Sequence, residues 1–179
     1  MKIPLRFKCL LIWHKVTKKK NKSALIKISD QGLGANNILF ILPSDNVNAQ
    51  ITSYFVNQDL IKKRMTIYYF VHEKGLKYYP EKLRSSFITY NEDDLNWWGV
   101  IINHSILERI KSISYDALVD LNQKPKPAEK FLIMDMPTKL KIGFHSIILE
   151  DLYNITIKKD SSSFLEKQYS IIERILGLV

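Results

Sequence analysis

Along most of the chain, short unbroken apolar runs alternate with stretches of helical spacing. "ILFILP" (38–43) is a continuous apolar run closed by proline, as expected of a strand buried on both faces. "MTIYYFVHE" (65–73) and "SSFITY" (85–90) are rich in aromatic and β-branched residues and predict two more strands. "YDALVDL" (115–121), "KLKIGF" (139–144) and "LYNITIK" (152–158) predict a fourth, a fifth and a sixth. Between the first two runs, residues 46–64 place Val47, Ile51, Tyr54, Phe55 and Ile61 on one helical face, with Ser44, Asp45 or Asn46 available as the cap. Helices are also predicted around 103–113 and 127–136. A last one follows Ser163, which has capping-box spacing to Glu166 and precedes Leu165, Ile171, Ile172, Ile175 and Leu176.

Strands alternating with helices specify a mostly parallel sheet covered on both sides. The expected fold is therefore a single three-layer, Rossmann-like α/β domain over residues 36–179, with strand order 3-2-1-4-5 and the sixth strand at an edge. A chain of 179 residues that is 46% hydrophobic can bury one such core and is short for two.

Charge adds a second feature. Of the 27 Lys and Arg residues, nine lie in residues 1–29, where there is no acid; the rest of the chain balances 18 cations with 18 acids. That asymmetry marks residues 1–29 as a basic extension. A helix over about 4–18 would gather Phe7, Leu10, Leu11 and Val16 on one side, the amphipathic arrangement of a segment that docks on its own domain or lies on a surface. Arg6, Lys8, Lys15, Lys18, Lys19, Lys20 and Lys22 are the candidate anion-binding residues, with RNA phosphates or an anionic membrane as partner. A solubilising tail is the plain alternative.

Composition narrows the chemistry further. The single cysteine, Cys9, permits no intrachain disulfide and no cysteine-based zinc site, which fits a reducing cytoplasm. No apolar run is long enough to span a bilayer, so any membrane contact is expected to be peripheral. The turn after the first strand, "PSDNVNAQ", lacks the glycines of a dinucleotide site, and "GLGAN" (32–36) precedes that strand instead of following it. There is no phosphate-binding G-x-x-x-x-G-K-[ST] loop and no G-x-S-x-G elbow. His14, His72, His104 and His145 lack metal-ligand spacing. No catalytic residue, metal or cofactor is expected from these patterns.

What remains is the place where a parallel sheet binds ligands, beyond the C-terminal ends of its strands where strand order reverses. There Asp45 and Asn46, after the first strand, should face Asp120 and Asn122, after the fourth, with His145 nearby; these five are the candidate ligand-binding residues for an unidentified small molecule. Helix capping by Asp45 and loop hydrogen bonds from Asp120 and Asn122 are the structural alternative. "NEDDLNWWGV" (91–100) holds two tryptophans in a loop, of which at least one is expected to cover the sheet.

"YDALVDLN" followed by "KLKIGF" resembles the N-terminal half of heptosyltransferase-type bacterial glycosyltransferases. The order and spacing of "DLNWWG", "YDALVDLN" and "KIG", after a basic N-terminal segment, are more closely similar to an uncharacterised bacterial family known only as a domain of unknown function. That likeness runs from about residue 36 to 178. It implies a shared fold, and fold does not carry activity with it. The expectation is a non-catalytic binding or accessory module, with a partner protein and an anionic partner both open. The alternative is a single-domain glycosyltransferase-like or nucleotide-sugar-binding protein that uses the C-terminal edge of the sheet.

Overall fold

The structure is a computed structural model that describes residues 34–57, 65–124, 126–146, 150–158 and 165–178, together with Leu5, Lys8, Cys9, Ile12 and Ile28. Six strands form one sheet: β1 Asn37–Ile41, β2 Thr66–His72, β3 Phe87–Tyr90, β4 Ala117–Asp120, β5 Leu140–Phe144 and β6 Ile155–Ile157. Their order is β3-β2-β1-β4-β5-β6, and every pair is parallel. The expected order holds, and the sixth strand takes the edge beside β5. Strand β1 is central because Ile38, Leu39, Phe40 and Ile41 are all fully buried; it pairs Ile38 with Ile67 of β2 and with Ala117 of β4.

Alternation along the strands separates the two cores. Ile38, Phe40, Val71, Val119 and Ile142 face one side, where they meet Ala49, Phe55 and Val56 of α1 (Asn46–Asn57) and Tyr169, Ile172 and Leu176 of α4 (Leu165–Leu176). Leu39, Ile41, Phe70, Ile88 and Leu118 face the other, against Ile110 of α2 (His104–Lys111) and Ala128, Leu132 and Ile133 of α3 (Pro127–Asp135). The result is the three-layer Rossmann-like arrangement. Each buried Leu, Ile or Phe contributes roughly 1.5–3 kcal/mol, so the two cores carry the fold.

Helix α1 turns a different face inward from the one its spacing predicts. Val47 (66%) and Tyr54 (79%) are exposed, while Ala49, Thr52, Phe55 and Val56 are buried and Ile51 packs beside them; Ile61 lies outside the described residues. The reason is a polar latch. Thr52 Oγ1 donates to the Asn48 carbonyl at 2.7 Å, which spends its single proton, so the Tyr169 hydroxyl of α4 donates to Thr52 Oγ1 at 2.8 Å. That bond, with the Phe55–Tyr169 ring contact at 4.8 Å, fixes which side of α1 meets α4.

No α-helix links β2 to β3. The link consists of two 3-10 turns, Glu73–Tyr78 and Glu81–Ser86. Gly75 lies directly on the turn after β1, where a Cβ would stand 2.8 Å from Ser44 Cβ, and the Tyr79 hydroxyl donates to the Pro43 carbonyl at 2.6 Å.

Of the basic extension, Leu5, Lys8, Cys9 and Ile12 are helical and exposed. The remainder of the expected 4–18 helix lies outside the described residues, as do Arg6, Lys15, Lys18, Lys19, Lys20, Lys22 and the Ser163 cap. No helix among the described residues is long and apolar enough to cross a membrane.

Candidate functional site: the C-terminal edge of the sheet

The two ends of "YDALVDLN" do different work. At its start, Asp116 Oδ2 accepts the backbone N–H groups of Asn36 (2.8 Å) and Asn37 (3.0 Å), holding the first residues of β1 in register, and Tyr115 packs edge-on against Tyr68. At its end, Asp120 closes β4 on the α3 side of the sheet and is 1% exposed. Burying a carboxylate there is tolerable only if it is paired and hydrogen-bonded.

Asp120 meets both conditions. Its Oδ1 accepts from the Asn122 backbone N–H at 2.9 Å and from Asn122 Nδ2 at 3.0 Å. Its Oδ2 accepts from the Lys130 ammonium and from the Tyr153 hydroxyl, the latter at 2.6 Å. Lys130 is itself 2% exposed and also reaches the Tyr153 oxygen at 2.8 Å. Burial, then the Asp120 charge, push the Tyr153 hydroxyl well above its ordinary pKa, so Tyr153 stays a donor. Tyr153 can lie here because position 143 is glycine: a Cβ on Gly143 would come within 2.4 Å of its ring. The glycine of "KIG" is a steric requirement of the Asp120 network.

A second group of polar side chains adjoins the first. Glu129, on the first turn of α3, is fully buried; its Oε1 accepts from the Tyr90 hydroxyl at 3.1 Å and lies 3.8 Å from the Lys126 ammonium, while Oε2 has no hydrogen-bond partner. Burial raises the Glu129 pKa to about 7, and Lys126 is the largest influence pulling it back down. Lys126 also donates to Ser44 Oγ in the turn after β1. Behind Tyr90, the His72 ring packs edge-on at 4.9 Å, with its Nε2 3.4 Å from Glu92, which Lys74 also pairs. Desolvation lowers the His72 pKa, so His72 is neutral at neutral pH.

Of the five expected ligand-binding residues, Asp120 and Asn122 therefore act together, and Asn122 Nδ2 also reaches the Ile41 carbonyl of β1 at 3.4 Å. Asp45 caps α1 through Asn48: its carboxylate accepts the Asn48 side-chain amide at 2.8 Å and the Asn48 backbone N–H at 3.3 Å. Asn46 is exposed at the first position of that helix, and His145 is exposed after β5, where its backbone N–H pairs with the Ile157 carbonyl. Among the described residues no group of three or more His, Cys, Asp or Glu could hold a metal. Sequence reasoning missed Glu129, Lys130, Tyr90 and Tyr153. One signal was available: in "AEKFLI" (128–133) every residue is buried, and charges inside a helix that is otherwise apolar all round must find partners.

The tryptophans sit differently from expectation. Trp97 (73%) and Trp98 (38%) are both exposed, at the tip of a tight loop closed by an antiparallel bridge between Leu95 and Ile101. Asn96 Oδ1 accepts the backbone N–H groups of Trp98 (2.9 Å) and Val100 (3.0 Å), and Gly99 supplies the left-handed backbone (φ 75°) against Pro127 of α3. The sheet beneath is already covered by α2 and α3, which leaves neither indole a place in the core.

A sequence profile for a family of unknown function, DUF6913, matches residues 12–172. The chain belongs to that family. No curated protein matches it. Among solved structures, the chain is similar to the E. coli heptosyltransferase WaaC in a structure with ADP, at 14% identity and a TM-score of 0.50, over 79% of this chain and 47% of the enzyme. The chain thus spans about half of that enzyme's length. At this identity the likeness concerns the fold: a DUF6913 member with a glycosyltransferase-like, Rossmann-type α/β architecture.

Proposed function

We propose that this DUF6913 chain is a non-catalytic binding module whose contact surface is the Trp97–Trp98 tip. The observation that carries this reading is that two large indoles are held out in water by a loop that Asn96 and Gly99 make stiff. A large aromatic side chain buries on the order of 150–250 Å² in all; Trp97, 73% exposed, has most of that still to bury and Trp98, 38% exposed, under half, together worth several kcal/mol at about 25 cal/mol per Å², and a preformed loop adds little ordering cost. Asp93, exposed beside the tip, disfavours nucleic acid and favours a protein partner with cationic side chains that can stack on the indoles. The test places a photo-crosslinking amino acid at Ile102, which is 52% exposed, and compares the wild-type background with Trp97→Ala/Trp98→Ala in cells. A discrete adduct that disappears in the double variant is expected. An identical adduct pattern in both would sink the reading.

The nine cations of residues 1–29 support a second contact in the same module, a salt-dependent attraction to an anionic partner, either RNA phosphates or lipid head groups. The rival, a nucleotide-sugar site at the sheet edge, draws support from the similar enzyme having a structure with ADP. Against it stands Asp120, whose carboxylate already accepts four hydrogen bonds from its own chain.

A further inference from the structure

Four residues of the basic extension share one side of a helix. Leu5, Cys9 and Ile12 follow one another at spacings of four and three, with Lys8 at the edge of the same row, and all four are helical and exposed. Leu5 is 77% exposed and Ile12 63%, so the row meets solvent and not the domain. Trp13, four residues beyond Cys9, continues the row by its place in the sequence. Phe7, Leu10 and Leu11 fall on the opposite side of the helical period, so the segment keeps an apolar side for its own domain while the exposed row is used elsewhere.

Charge and apolarity together decide what covers the row. Residues 1–29 hold nine cations and no acid, whereas the rest of the chain balances 18 against 18, so attraction to an anionic partner is concentrated in this segment. RNA phosphates would pair with the cations and offer nothing apolar to Leu5 and Ile12. An anionic bilayer offers both, head-group phosphates for the cations and, just beneath them, acyl chains for the row. Leu5 to Ile12 covers about 10 Å along a helix axis, which suits a helix lying in the plane of the surface. Lys8, and Lys15 seven residues later, border the row, where long aliphatic stems let the ammonium groups reach back to the head groups. The apolar run 9–13 is far too short to cross a bilayer, so the contact is interfacial.

We propose that residues 1–29 are a peripheral anchor for an anionic lipid surface, with Leu5, Cys9 and Ile12 entering the boundary between head groups and acyl chains. The proposal rests on the reading of this segment as a contact to an anionic partner, and it names that partner; it is independent of the tryptophan tip. Both parts are required. The cations draw the segment to the surface, and the apolar row gives a bilayer an advantage over any other polyanion.

Cys9 is exposed and is the single cysteine of the chain, so it carries the probe. The full chain is labelled there with an environment-sensitive thiol-reactive fluorophore and mixed with vesicles of phosphatidylcholine alone or of equal parts phosphatidylglycerol and phosphatidylcholine. With the anionic vesicles the emission should shift to the blue and be quenched by lipids spin-labelled high on the acyl chain; with the neutral vesicles it should not change. Leu5→Ser/Ile12→Ser keeps all nine cations and should bind anionic vesicles about tenfold or more weaker in co-sedimentation, as loss of two apolar side chains from the interface requires. Its RNA gel shifts, circular dichroism and melting temperature should match wild type. Wild-type affinity of the serine variant for vesicles, or vesicle binding without a blue shift at Cys9, would overturn the proposal. Binding to RNA and not to vesicles would overturn it while leaving the anionic-partner reading in place, and binding to neither would overturn both.

Discussion

The Tyr153 hydroxyl donates to Asp120 Oδ2 at 2.6 Å, across the backbone of Gly143. One glycine on β5 thereby admits the ring that completes the hydrogen bonding of a buried carboxylate on β4. Substituting Gly143→Ala should expel Tyr153 and cost about 1–3 kcal/mol in urea denaturation, as overpacking does. In a Tyr153→Ala background the same substitution should cost distinctly less. Equal costs in the two backgrounds would mean that the ring and the glycine are not coupled.

Asp120 and Lys130 form an ion pair buried almost completely on both sides. Removing one partner strands the other, so Asp120→Ala is expected to destabilise the fold by about 3–5 kcal/mol. The double change Asp120→Asn/Lys130→Met should recover part of that loss, because neither residue then carries an unpaired charge. Chemical denaturation of the three proteins checks the order of stabilities.

Glu129 makes stability depend on pH in a definite direction. Its folded pKa of about 7 exceeds the ordinary 4.5, so the folded state binds the proton more tightly; the stabilisation is complete below pH 4.5 and is lost as pH rises through 7. At pH 8 the ionised, buried carboxylate should cost on the order of 3 kcal/mol. Glu129→Gln should therefore be more stable than wild type at pH 8 and close to it at pH 5. His72 acts in the opposite sense, losing stability as pH falls below 6.5. The difference between the two proteins at each pH isolates Glu129.

Because Trp97 and Trp98 are exposed, their replacement by alanine should change stability by less than about 0.5 kcal/mol. In wild type, both indoles should be quenched efficiently by iodide. A double variant that unfolds several degrees earlier would show the loop to be a structural element and not a contact surface.

Binding of the basic extension to RNA or anionic vesicles should weaken steeply between about 50 and 200 mM salt, as counterion release requires. The Lys18→Ala/Lys19→Ala/Lys20→Ala/Lys22→Ala protein should show a shallower salt dependence in gel shifts or vesicle co-sedimentation. Whichever assay loses binding in that variant names the partner, and unchanged binding in both would leave the lysines as a solubility device.

The strands, their order and the helices between them were legible in the sequence because burial on both faces of a parallel sheet demands unbroken apolar runs, and "ILFIL" and "ALV" are such runs. The place of Asp120 and Asn122 was legible too: they are polar residues directly after a buried strand, at the C-terminal edge of the sheet. Only tertiary structure decided the rest. Lys130 and Glu129 on α3, Tyr90 on β3 and Tyr153 before β6 are brought together by packing between elements distant in sequence, and no local periodicity records which buried charge meets which hydroxyl. Likewise the face that α1 buries was set by the Thr52–Tyr169 latch, and the exposure of Trp97 and Trp98 by two helices that had already covered the sheet. Hydrophobic pattern fixes which elements form, since it reports burial one residue at a time. Polar partnership is a property of pairs, and the fold alone assigns the pairs.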